Sequence, residues 1–217
     1  MQISWHGLNC FVISVSTPAG EAVCVVDPYQ NETGLRLSRA LTADLVAVSH
    51  DGEDADNVEA VGSTHDVKPF LIDIPGEFEA KGIFVHAIST PRKEDKKGHR
   101  AFLIEAEGMV VAHLGALNRE LTDAELEAMS NVDILLVPVG GGRYMSPKTA
   151  SEVISQIEPR IVVPYAYAID GVKEKLEDLT AFYKALGAAK REEVSKLKVT
   201  RKNLPEEDMI IYVLERA

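Results

Sequence analysis

The chain changes rhythm half-way along, and that change restricts the architectures open to it more than any other feature. Up to His113 it reads as short β segments. Phe11–Ser16 and Ala22–Val26 are rich in β-branched residues and flank Thr17-Pro18-Ala19-Gly20, which carries turn chemistry. Leu45–Val48, Pro69–Ile72, Ile83–Ile88, Phe102–Glu105 and Met109–His113 follow, and Glu107-Gly108 predicts a hairpin between the last two. From Thr122 onward strands alternate with helices. Thr122 with Glu125 three residues on forms a capping box, and Pro147 opens a helix running to about Ile157. A further helix near Val172–Leu186 stops at Gly187. Ile134–Val137, Ile161–Val163, Lys196–Thr200 and Met209–Leu214 read as strands. The second half therefore predicts a sheet with helices on its outer face, and the first half a second sheet needing a cover. The expectation is an α/β (α+β) layered fold, with residues 1–217 as a single domain.

With 217 residues the chain is long enough to bury a core, and its 46% hydrophobic content is that of a globular protein. Lys and Arg number 23 against 34 Asp and Glu, a net charge of −11. That balance disfavours nucleic acid and anionic membrane surfaces as partners, because both are bound by clustered cations. No apolar run approaches the roughly 18 residues of a membrane span, and Met1–His6 lacks the regions of a signal peptide. Cys10 and Cys24 lie in apolar runs and read as buried thiols. A cytoplasmic setting is the expectation, with a small molecule or a protein as partner. Self-association through an exposed strand at Met209–Leu214 is a further option.

Rigid sheets aim the loops at their strand ends, so polar residues there are the first candidates for a site. Asp27-Pro28 ends the second strand. The loop 49–57 holds His50, Asp51, Glu53, Asp54 and Asp56, an oxygen-rich set able to hold a hard cation. In the bland alternative it is a solvated loop in which Asp56 or Asn57 caps a short helix over Val58–Val61. His113-Leu114-Gly115-Ala116 and Pro164-Tyr165-Ala166-Tyr167 end two more strands, and Gly140-Gly141-Gly142 reads as a tight turn or a close backbone approach. A nucleophile elbow, a phosphate-cradling loop and a dinucleotide fingerprint are all missing from the sequence. His6, His65, His86 and His99 read as structural or exposed, His99 falling in the charged loop 91–100.

Taken in order, these motifs resemble the metallo-β-lactamase superfamily, and within it the small metal-dependent hydrolases similar to L-ascorbate-6-phosphate lactonase. The resemblance runs from Trp5-His6-Gly7 with Cys10-Phe11 through Asp27-Pro28, Ser49-His50-Asp51 and Pro75-Gly76-Glu77-Phe78-Glu79. It continues through His113-Leu114-Gly115, Pro138-Val139-Gly140-Gly141 and Glu158-Pro159-Arg160-Ile161-Val162-Val163-Pro164. It implies a four-layer αβ/βα sandwich and a metal site on a His-x-His-x-Asp-His loop. Here that loop keeps His50 and Asp54 but carries Gly52 and Ala55 at the other two histidine positions. Ala116 stands where relatives have Asp, Ala166 where they have the closing His, and Ser89-Thr90-Pro91-Arg92 lacks a further His.

A catalytic zinc takes about three protein ligands plus water. The expectation is therefore a metallo-β-lactamase-fold pseudoenzyme with a degenerate metal site, non-catalytic and acting by binding, with no cofactor. His50, Asp54 and His113 are the remnant metal candidates, and Asp27, Asp51, Glu53, Asp56, Gly140, Tyr165 and Tyr167 the pocket lining. The alternative is a metal-dependent hydrolase of phosphodiester, lactone or similar ester, with a rebuilt mononuclear site holding one Zn, Mn or Mg ion.

Overall fold

The computed structural model describes residues 1–18, 20–92, 98–187 and 189–217. Its first strands are β1 (Gln2–Gly7), β2 (Cys10–Thr17), β3 (Gly20–Val26), β4 (Thr42–Ala43), β5 (Leu45–Ala47), β6 (Gly62–Ser63) and β7 (Phe70–Ile72). Next come β8 (Gly76–Ala80), β9 (Ile83–Ser89), β10 (Arg100–Ala106), β11 (Met109–His113) and α1 (Asp123–Ala128). β12 (Ile134–Pro138), α2 (Pro147–Ile157), β13 (Ile161–Tyr165), α3 (Leu179–Leu186), β14 (Lys190–Val194), β15 (Leu197–Lys198) and β16 (Ile210–Leu214) complete the order.

Two large sheets face each other. One has the order β15-β1-β2-β3-β5-β7, the other β14-β16-β13-β12-β11-β10-β9-β8. Alternation along each strand decides which side chains meet between them. Cys24 and Val26 of β3 join Phe11, Ile13, Phe102, Val111 and Val163 in the core between the sheets. Val25 points the other way, into a second cluster with Cys10, Tyr29, Leu35, Val46 and Val61. β11, β12, β13 and β16 are parallel neighbours and apolar on both faces, as strands covered on both sides must be. Ala150, Val153 and Ile154 of α2 and Phe182 of α3 supply the cover on the outer side of that sheet. The first sheet is covered differently, by irregular chain and the 3-10 turns Asn31–Thr33 and Val58–Ala60.

Local signals explain most boundaries. Thr122 Oγ1 accepts from the Glu125 N–H, and the Glu125 carboxylate accepts from the Thr122 N–H, so the capping box forms as expected. Glu107 and Gly108 both take positive φ (55° and 70°), the requirement of a two-residue primed turn. The helix expected from Val172 begins only at Leu179. Asp178 caps it through the Thr180 and Ala181 N–H groups, while the Lys173 and Glu177 N–H groups go to Thr33 and Gly140 carbonyls. Neither Asp56 nor Asn57 caps the Val58–Ala60 turn. Asp56 accepts from Gln30 Nε2 and the Gly52 N–H, and Asn57 Nδ2 donates to the Tyr29 carbonyl. β16 is not a free edge, because β13 and β14 flank it on either side, so the strand Met209–Leu214 offers no open ladder for self-association. Among the described residues no helix is long and apolar enough to cross a membrane.

Candidate functional site

The ends of β3, β5, β11 and β13 converge with the β1–β2 turn on one buried polar cluster. Asp27 follows β3 with φ 48°, a left-handed conformation that turns its carboxylate under the next strand. Its Oδ1 accepts from the Ser49 N–H at 2.6 Å and its Oδ2 from Ser49 Oγ at 2.6 Å. Burial, only partly offset by His50 and these Ser49 bonds, raises its pKa to about 7. Ser49 Oγ also lies 2.9 Å from His50 Nδ1, and His50 Nε2 lies 3.1 Å from Asp54 Oδ1. Asp27, Ser49, His50 and Asp54 thus form one continuous chain of hydrogen bonds.

Asp54 is the most heavily engaged group. Besides His50 it accepts from Asn9 Nδ2 at 3.0 Å, Arg143 Nη1 at 3.1 Å and Tyr144 Oη at 2.8 Å. Burial opposes its charge, but His50, Arg143 and Tyr144 outweigh burial and hold the carboxyl well below the usual range. Tyr144 is pushed well above the ordinary phenol value by burial and then by Asp54 itself. Arg143 reaches the cluster from the glycine-rich loop after β12, where Gly141 and Gly142 take positive φ. Gly140 allows the loop to pass close by: a Cβ there would stand 2.0 Å from the Ala166 carbonyl oxygen.

His113 sits fully buried at the end of β11, stacked on Tyr165 with centroids 5.1 Å apart. Its Nε2 donates to the Asn9 carbonyl at 2.9 Å and its Nδ1 accepts from the Gly115 N–H at 3.1 Å. Burial lowers its pKa to about 3. Its 3.9 Å approach to Asp27 is therefore not an ion pair at neutral pH. Tyr165 Oη donates to the Gly115 carbonyl at 2.7 Å, which ties β13 to the loop after β11.

His99 joins this cluster although the sequence places it in a charged loop; the structure buries it to 1% exposure, 5.7 Å between centroids from His50. Its Nδ1 lies 2.9 Å from the Thr90 carbonyl oxygen, an atom that can only accept, so Nδ1 carries the proton. Burial holds His99 well below its ordinary pKa, which leaves Nε2 as a bare lone pair. That atom is buried without a hydrogen-bond partner among the described residues, and so is Asn9 Oδ1. The rest of the charged loop, residues 93–97, lies outside the described residues.

The other expected lining residues divide. Glu53 stands at the mouth, its Oε1 3.5 Å from Arg143 Nη2. Asp51 is exposed, and Asp56 turns to Gln30. Tyr167 lies away from the cluster, tilted against Trp5 at 5.0 Å. Ala166 takes φ 52° and redirects the chain between the two tyrosines.

The residues present do not fit a two-metal centre. Among the described residues no three His, Cys, Asp or Glu side chains are grouped to hold a metal, and both His113 nitrogens are spent on the backbone. Nor are the described side chains grouped for a single ion in this geometry. His99 Nε2 and Asn9 Oδ1 have no partner among the described residues, His99 lying beside His50 and Asn9 bonding Asp54 through its amide nitrogen.

Related proteins carry the same architecture. A UPF0173 protein of Pyrococcus furiosus is 29% identical over 188 residues, covering 77% of this chain and 83% of its own. A UPF0173 metal-dependent hydrolase of Thermoplasma acidophilum is 28% identical, with 77% of this chain and 83% of its own covered. The crystal structure of a Thermotoga maritima protein, assigned as a Zn-dependent hydrolase of the metallo-β-lactamase superfamily, superposes with TM-score 0.78. It is 27% identical and covers 98% of both chains. These relatives correct two expectations from the sequence, the non-catalytic protein and the missing cofactor, because proteins similar over most of this chain are named as metal-dependent hydrolases. The family described as Beta-lactamase superfamily domain matches residues 2–166, and with the two-sheet fold this places the chain in the metallo-β-lactamase superfamily.

Proposed function

We propose that this chain is a metal-dependent hydrolase of an ester-type bond, phosphodiester or lactone, that works with one metal ion. The observation that carries the reading is His99 Nε2, an imidazole nitrogen buried beside His50 with no hydrogen-bond partner among the described residues. Burying such an atom unpaired costs about 1–3 kcal/mol, so a donor of this kind in a polar cluster wants a partner. The names of the relatives support the same class. The sequence resemblance to L-ascorbate-6-phosphate lactonase supports a lactone or phosphorylated substrate.

His99, His50 and Asp54, with Asn9, are the donors an ion would draw on, a mixed nitrogen and oxygen set suited to zinc or manganese. They would have to come together to hold it, because among the described residues no three are grouped for a metal. When bound, the ion supplies a Lewis acid beside the two imidazoles. The chain's own residues prepare that place. Ser49, fixed by two bonds to Asp27, sets the His50 ring through Nδ1. Tyr144 and Asn9 fix the second oxygen of Asp54. Phe11 and Tyr165 wall the cluster with aromatic surface at 5.3 Å and keep water out behind His113. A reducing, cytoplasmic setting is supported by the two buried free thiols, Cys10 and Cys24. One domain spanning residues 1–217 is supported by the core that both sheets share.

Hydrolysis of bis(p-nitrophenyl) phosphate and of a γ-lactone, measured with zinc and with manganese, tests the reading. Metal-stimulated turnover lost in His99→Ala supports it. Absence of metal-stimulated turnover on both substrates would remove it.

A further inference from the structure

One side of the sandwich is left open at both sheets. β7 is the last strand of the first sheet and β8 the last of the second, and among the described residues no strand pairs with the outer side of either. Only Asp73-Ile74-Pro75 separates the two strands, and the Phe70 and Phe78 rings meet across the gap with centroids 6.0 Å apart. The rim is apolar: Val67 is 76% exposed, Ile74 59%, Phe70 47% and Leu71 41%. An open edge beside exposed apolar side chains is a template for a further strand.

β8 is the longer of the two edges. Lys81 and Gly82 take positive φ (51° and 78°), a two-residue primed turn that makes Ala80 and Ile83 a hydrogen-bonded pair. Such pairs alternate along an antiparallel ladder, so Glu77 and Glu79 turn their N–H and C=O groups to the open side. Glu77 and Glu79 stand opposite His86 and Phe84 on the outer face, whereas Phe78 stands opposite Val85 and packs against the core. Charge then selects the occupant. From Asp66 to Glu79 the exposed charges are one cation, Lys68, against Asp66, Asp73, Glu77 and Glu79. Neighbouring Lys81 is engaged by Asp44, and Glu79 also accepts from the Gly82 N–H at 2.8 Å. Two copies of the chain paired through β8 would set carboxylate against carboxylate, which destabilises a cross-strand pair. A basic strand meets the opposite charge instead.

We propose that β8 is a docking edge for an extended protein segment that alternates Lys or Arg with apolar residues, added as a further antiparallel strand. Its basic side chains lie against Glu77 and Glu79 on the outer face. Its apolar side chains fall beside Phe78 and Phe70 at the rim.

Fluorescence anisotropy with a dye-labelled peptide alternating Lys and Val tests the edge, on the wild type and on Glu77→Lys. The same peptide N-methylated at its Lys residues and a Glu-Val counterpart are measured beside it. The wild type is expected to bind the Lys-Val peptide, and Glu77→Lys to bind it at least fivefold more weakly. N-methylation keeps the charge but removes the N–H groups the ladder needs, and should weaken binding at least tenfold. The Glu-Val peptide should not bind. Absence of Lys-Val binding overturns the proposal, as does equal binding by Glu77→Lys. Equal binding of the methylated peptide overturns it too, because charge alone then holds the peptide. A light-scattering mass of two chains in the wild type and of one in Leu71→Asp would give the rim to a second copy, and likewise overturns it.

Discussion

His99 Nδ1 donates to the Thr90 carbonyl oxygen at 2.9 Å, with Thr90 Oγ1 at the same distance, and the carbonyl, which can only accept, fixes which ring nitrogen carries the proton. The unprotonated Nε2 is then left in a buried place with no partner among the described residues. Replacing His99 by Phe removes both the Thr90 bond and the unpaired nitrogen, two effects of opposite sign and similar size. Urea unfolding of metal-free His99→Phe should therefore lie within about 1 kcal/mol of the wild type. A loss several times larger would mean that Nε2 already has a partner.

Asp54 behaves in the opposite way, because it is the shared acceptor for three buried or half-buried donors besides His50. Asp54→Ala strands Tyr144 Oη, the Asn9 amide and one arm of Arg143 together. The expected loss is about 3–5 kcal/mol, the range for breaking a buried charged network. Chemical denaturation measures it, and a loss below about 1 kcal/mol would show the network to be dispensable.

The acid limb of stability should come in part from carboxylates far from the cluster. Burial opposes ionisation of Asp44, but Lys81, Thr64 and the Val23 N–H outweigh it and hold its pKa below the usual value. Glu125 is likewise depressed, burial being outweighed by the bidentate Arg119 and the Thr122 N–H. A depressed carboxylate stabilises the fold above its unfolded pKa, near 4, and that contribution disappears as pH falls through the folded value. Unfolding midpoints between pH 6 and pH 3 should fall less steeply in Lys81→Met than in the wild type. Identical slopes would contradict this assignment.

Gly140 is the backbone contact that lets the Arg143 loop pass over β13. A Cβ there would meet the Ala166 carbonyl oxygen at 2.0 Å, far inside contact, and neither group is a movable side-chain end. Gly140→Ala should displace the loop, weaken the Arg143–Asp54 pair and destabilise the fold by more than about 2 kcal/mol. A crystal structure of the variant with the loop unmoved would refute this.

The parts of the site legible in the sequence are those fixed by strand ends. Asp27, His50, His113 and Tyr165 each follow an apolar run, and each enters the cluster because a sheet aims it there. His99 was hidden by its company: it follows Lys-Glu-Asp-Lys-Lys-Gly and precedes Arg100, so local composition reads as solvent. Its burial comes from bonds distant in sequence: the Thr90 N–H donates to the His99 carbonyl, and the Arg100 N–H and Nε donate to the Ser49 and Val48 carbonyls. Arg143 was missed for a related reason, since its partner Asp54 lies 89 residues away and no local pattern links them. Tyr167 lies away from the cluster because the left-handed Ala166 turns the chain between the two tyrosines. In the fold, the capping box and Pro147 gave the helix starts correctly. β1 and β14 escaped notice because Gln2–Gly7 and Lys190–Val194 mix polar and apolar residues on exposed edges or near them.

The most direct test of the one-metal account is zinc and manganese binding by the wild type and by His99→Ala, measured by calorimetry alongside metal content after dialysis. The account predicts about one ion per wild-type chain and at least a tenfold loss of affinity in His99→Ala. Equal binding by both proteins, or no retained metal in the wild type, would contradict it.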